Sequence, residues 1–163
     1  MMLALSMGVS AQNLKFGHVN AQEVILAMPE FTKAQTDIQT LEQQLTDELK
    51  RTQEEFNKKY QEFQEAVAND SLPANIAERR QKELQDMYQR QEQFQQDAAQ
   101  QLQKAQSDAL TPIYQKVDEA IKTVGAAEGV VYVFDIARTS IPYVNEAISV
   151  DLTTKVKAQL GIK

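Results

Sequence analysis

The chain has 163 residues, no cysteine, a single histidine and a formal net charge of -6. Disulfide stapling, thiolate chemistry and Cys/His metal clusters are therefore closed to it, and its acidic balance (pI near 4.9) argues against a nucleic-acid partner. After the first residues no apolar run approaches the roughly 20 that span a bilayer as a helix, so no stable membrane insertion is expected.

Residues 1–11, MMLALSMGVSA, are apolar and end in the small-residue pattern Val9-Ser10-Ala11 at which signal peptidase cuts, although a positively charged start is missing. They read as the remnant of a signal peptide on an exported protein. Leu14 to Val19 reads as a strand, and Asn20-Ala-Gln-Glu23 has the form of a capping box that opens a short helix through Met28. Pro29 suits the first turn of the next helix, and Glu30 suits the positive end of its dipole.

From Phe31 to Val67 apolar or seam-compatible residues recur at steps of three and four, 36 residues in ten steps. This is the period of an unstrained helix rather than of a strict heptad. A second stripe runs from Ile76 to Ala109, and the residue numbers of apposed positions add to 143: Val67 with Ile76, Phe56 with Met87, Leu49 with Phe94, Leu41 with Leu102. Such a mirror is what an antiparallel hairpin requires, because both seams must meet layer by layer about one turn. Tyr60 with Leu84 misses by one, Thr52 with Gln91 is polar, and Phe63 faces Arg80.

The tip, Asn69-Asp-Ser-Leu-Pro73, has turn chemistry, with the return helix beginning at Pro73. Pro112 stands where the mirror of Phe31 falls, so residues 31–112 are expected to form the arm and to end in a kink there. Lys50 to Arg90 holds eight basic and eight acidic residues, so the distal arm is neutral and the negative excess lies elsewhere.

Beyond Pro112 an amphipathic helix is expected until Gly125 and Gly129 stop it. Val130 to Phe134 with Ile136 then reads as a strand covered on both sides, followed after a turn by a second strand from Ile141 to Ala147. Asp151 caps a last helix, Leu152 to Leu160, closed by Gly161. Residues 12–30 and 113–163 thus form a small β body of about 80 residues, too few for an independent core without oligomerisation. The fold class is α+β: a β body completed by oligomerisation, bearing a long antiparallel two-helix coiled-coil arm. Val131, Val133, Phe134 and Ile136 are the candidates for the subunit interface.

No catalytic, cofactor or metal site emerges, and the chain does not read as an enzyme. Gly125-Ala-Ala-Glu-Gly129 lacks the Lys-Ser/Thr ending of a P-loop, His18 has no motif partner, and the carboxylates lie at helical spacings on solvated faces. Leu72 and Tyr88 lie off the seam and offer apolar surface, and Lys58, Lys59, Arg79 and Lys82 offer alkyl stems.

The order strand, short helix, long hairpin, strand, strand, helix resembles the Skp (OmpH-like) family of periplasmic chaperones. Val19-Asn-Ala-Gln-Glu-Val-Ile-Leu-Ala-Met-Pro-Glu-Phe31, Val130-Val-Tyr-Val-Phe-Asp135, Ile141-Pro-Tyr-Val-Asn145 and Asp151 to Leu160 carry the likeness. The resemblance implies a homotrimer with a joint β body and three arms enclosing a cavity that holds unfolded outer-membrane β-barrel proteins without ATP. It departs from the family's best-known members in charge, since their arms are cationic. Two other classes fit the same pattern, a prefoldin-like cytosolic chaperone and a structural coiled-coil adaptor.

Overall fold

The computed structural model describes residues 14–162; the expected signal remnant lies outside them. In chain order the elements are β1 (Phe16–Val19), α1 (Ala21–Leu26), α2 (Pro29–Ala68), α3 (Ala74–Glu128), β2 (Tyr132–Asp135), β3 (Ser149–Asp151) and α4 (Thr153–Gln159). This is a mostly helical α+β chain with a small sheet. The described residues divide into two units, one comprising residues 14–31 and 112–162, the other Thr32–Thr111.

In the first unit the sheet has the order β2-β1-β3 and is parallel throughout, with Phe16 beside Tyr132 and Ser149, and His18 beside Phe134 and Asp151. Side chains alternate across a strand, and here the two faces differ. Gly17 and Val133 point to the helices: a Cβ on Gly17 would stand 2.9 Å from Leu152 Cδ1, and one on Gly125 of α3 would stand 3.0 Å from Val133 Cγ2. Val19, Val24, Met28, Val117, Leu152 and Val156 form the core on that side. Asn20 caps α1 by accepting from the Glu23 amide at 3.1 Å. Its own amide donates to Thr153 Oγ1 at 3.0 Å, so Glu23 does not close the capping box and pairs instead with Lys157 at 2.7 Å. Asp135 Oδ1 accepts from the amides of Ala21 and Ala137, tying the end of β2 to the start of α1.

Several expectations need correction. α3 is one helix that runs through Pro112 to Glu128, and the second unit ends beside it at Thr111. Pro112 is exposed, so water can satisfy the carbonyl it leaves unpaired, and Ile113, Val117, Ala120 and Val124 anchor the downstream turns by burial. Gly125 is likewise inside the helix, where the close approach of Val133 requires it, and Gly129, at a φ of 65°, makes the stop. The strand expected at Ile141 to Ala147 does not form. Pro142 cannot donate to a ladder, and Asn145 closes a local turn, its side chain accepting from Ala147 and its carbonyl from Ile148 and Ser149. Pairing starts only at Ser149. Nor is β2 covered on both sides, with Tyr132 62% and Phe134 46% exposed. The return helix begins at Ala74, one residue after Pro73. Asp151 accepts from the Thr153 amide at 2.8 Å, while Leu152 occupies the cap position and Gly161 (φ 72°) terminates α4.

The second unit is an antiparallel pair of helices joined by a turn in which Asp70 takes a φ of 49°. Two cross-hairpin contacts, the Lys59–Glu83 ion pair and the Gln91–Gln53 hydrogen bond, bracket the mirrored register from either side. Only Ala34 and Leu84 are buried in this unit, and the remaining seam residues are half-covered or exposed. Cysteines placed at Leu41 and Leu102 are expected to crosslink within one chain. Efficient crosslinking only when one of them is moved a full turn would show the register to be different, as mass spectrometry of the oxidised protein will report.

Asp151 provides a pH test of the body. Burial pushes its carboxyl up, but hydrogen bonds from the hydroxyl and amide of Thr153 and attraction to His18 together hold it below its ordinary value. A carboxyl depressed in the folded state contributes stability above its unfolded value, and that contribution is lost as pH falls through the folded one. Urea midpoints should therefore drop on acidification below about pH 3.9, and Asp151→Asn should flatten that drop. Equal slopes for the two proteins would remove Asp151 from the account.

Candidate functional site

Two surfaces stand out, one in each unit. In the body, the face of the sheet turned away from the helices carries Phe16, His18, Tyr132 and Phe134. Phe16 and Tyr132 stack at 6.5 Å between ring centroids, and Tyr132 and Phe134 follow at 6.2 Å. The loop before β3 passes over part of this face and borders an open groove of about 310 Å³ with Phe134, Ile141, Val144 and Ile148 in its lining. His18 is buried there, its Nδ1 2.9 Å from Ser149 Oγ.

The expected interface residues divide. Val131, Phe134 and Ile136 are exposed, whereas Val133 points at Gly125 of α3. Phe16, Tyr132, Tyr143 and Ile148 join this surface without having been singled out from sequence. Their signal was the alternation of β2 itself, in which Tyr132 and Phe134 share a face that Val133 does not.

In the arm, the six expected contact residues are placed as follows. Lys58, Arg79, Lys82 and Tyr88 are exposed, Leu72 is half-buried at the tip, and Lys59 is half-buried in its ion pair with Glu83. That hydrogen-bonded pair holds the Glu83 carboxyl below its usual range and raises the lysine. The structure brings Tyr88 together with Phe56, Tyr60 and Phe63, beside a groove of about 700 Å³. Phe56 and Tyr60 are stacked at 6.0 Å, and Tyr60 is 44% exposed. The Glu92 carboxylate beside it pushes the Tyr88 hydroxyl up from its ordinary pKa. The sequence carried a sign of this groove in the Tyr60 layer, where the mirror slips by one and the ring leaves the seam.

A long antiparallel helical pair together with a small parallel-stranded α+β body defines a class of helical-arm proteins. The chain matches the family model of OmpH-like outer membrane proteins over residues 15–160. It belongs to that family. Its fold is similar to that of a Caulobacter crescentus protein described as an OmpH-like outer membrane chaperone, with a TM-score of 0.74 at 16% identity over 90% of this chain and 83% of that one. At that identity the likeness is one of fold. Among curated proteins no significant match is found. No helix among the described residues is long and apolar enough to cross a membrane.

Proposed function

We propose that the protein is an ATP-independent holdase chaperone of the periplasm, a homotrimer that binds unfolded outer-membrane β-barrel proteins between its arms and prevents their aggregation. The observation that carries this reading is the arm's near lack of a core. A hairpin of this length with only Ala34 and Leu84 buried spends little of its apolar surface on its own fold. The half-covered stripe that remains, with Tyr60, Tyr88 and Val67 exposed, suits many weak contacts with chains that have no fixed shape. Family membership and the described chaperone role of the Caulobacter protein support the same reading.

The trimer is supported by the open sheet face. All-parallel sheets are ordinarily covered on both sides, and here Phe16, Tyr132 and Phe134 lie on a side that the chain covers only in part. A second and third copy would supply the missing layer.

The test is to dilute a denatured outer-membrane barrel protein from urea into the full chain, with and without ATP, and to follow light scattering. Suppression at near-stoichiometric trimer, unchanged by ATP, is the expected result. Scattering as high as in buffer alone would overturn the reading, and suppression confined to one folded partner would favour the adaptor class.

A further inference from the structure

At the level of Leu84 the arm carries two unlike grooves. One, of about 250 Å³, is surrounded by Lys59, Glu62, Arg79, Arg80 and Glu83. The other is the groove of about 700 Å³, and no charged side chain lines it. Its apolar part is Phe56, Tyr60, Phe63, Leu84 and Tyr88, and along α3 it is edged by the exposed amides of Gln81, Gln85 and Gln89. Sixteen charged residues lie between Lys50 and Arg90, so an uncharged lining here is a segregation of the arm into a charged side and a neutral one.

We propose that this neutral groove holds client chain directly, and that its occupant is an extended segment in which apolar side chains alternate with uncharged polar ones. The proposal rests on the holdase reading and adds the place and the chemistry of the contact. Three observations select the occupant. Aromatic faces accept apolar side chains, and an ion brought against them would have to shed its water without a partner. A glutamine amide both donates and accepts, so the three at the edge can bond to an unpaired backbone running in either direction. The spacing also fits. Gln81, Gln85 and Gln89 recur every four helical residues, a rise of about 6 Å, and Phe56 and Tyr60 stand 6.0 Å apart. Side chains on one face of an extended strand repeat every two residues, at about 6.6 Å. The two rulers stay in step over the length of the groove.

The test uses photocrosslinking from both sides of the full-length arm, with p-benzoylphenylalanine replacing Gln85 in one variant and Arg79 in the other. The probes are the unfolded barrel protein and a soluble peptide of about ten residues that alternates leucine or tyrosine with serine or threonine. Position 85 should label both probes severalfold more than position 79. Combining Tyr60→Ser with Tyr88→Ser changes exposed side chains and should leave helicity by circular dichroism intact while weakening peptide binding about tenfold. Equal labelling from the two sides, labelling only of a second copy of this chain, or unchanged peptide affinity would each overturn the proposal. If the full chain suppresses aggregation while position 85 labels neither probe, the groove falls and the holdase stands. Labelling at position 85 by a protein that gives no protection upholds the groove as a peptide site and removes the holdase.

Discussion

An arm shortened by five helical turns is expected to lose nearly all protection of an unfolded barrel protein while the body stays folded and assembled. Excising Thr46–Phe63 together with Arg80–Asp97 removes two mirrored segments. Each is five turns long at 3.6 residues per turn, so the phase of both stripes is preserved and the turn at Asn69 to Pro73 is kept. The cut takes away Phe56, Tyr60, Phe63, Leu84 and Tyr88. It leaves the buried set from Val19 to Met28 and from Ile113 to Val156 untouched. Light scattering and native mass spectrometry are the two readouts. Undiminished protection by the shortened protein would rule out the arm as the working surface, whatever its oligomeric state.

The second large effect concerns the sheet. Phe134→Asp is expected to convert the assembly to folded monomers at micromolar concentration. An aspartate there would sit unpaired against aromatic surface in the assembled body, at a cost of several kcal/mol per buried site, and a symmetric assembly would repeat it in every subunit. In the free subunit the same side chain is half exposed at the rim of the groove and can reach water, so the body should stay folded. Val133→Asp should behave differently, because Val133 faces Gly125 on the helix side. It should lower the unfolding midpoint of the body itself. Native mass spectrometry and urea unfolding separate the two outcomes, and an intact trimer of the Phe134→Asp protein would show that this face is not the interface.

What could be read from the sequence was what residues decide locally. The Asn20 cap, Pro29 at the start of α2, the turn before Ala74 and the glycine stops at Gly129 and Gly161 each depend on a few neighbours. The mirrored stripes are local in the same sense, since one turn fixes them both. The misses share another cause. Whether Ile141 to Ala147 pairs as a strand depends on a place beside β1, and both sides of β1 are taken by β2 and β3. The exposed side of β2 could be read as a period of two, but which side met the helices required Gly17 and Gly125 to be seen in place. For the arm, the residues chosen by charge and by distance from the seam included Tyr88. They omitted Tyr60, because its slip from the mirror read as an imperfect layer and not as an opening.

The central strand of the sheet is also the first one made. β1 is complete at Val19, yet its two neighbours arrive only with residues 132–135 and 149–151. The first strand pair cannot form before residue 135 is present, nor the full sheet before residue 151, whereas the helical hairpin needs only itself. Contacts so distant in sequence form late, so the order of events is written into the topology: arms first, body last. A chain cut short before Ser149 would carry a finished hairpin and an unfinished sheet, with an edge of β1 open to any strand that comes by.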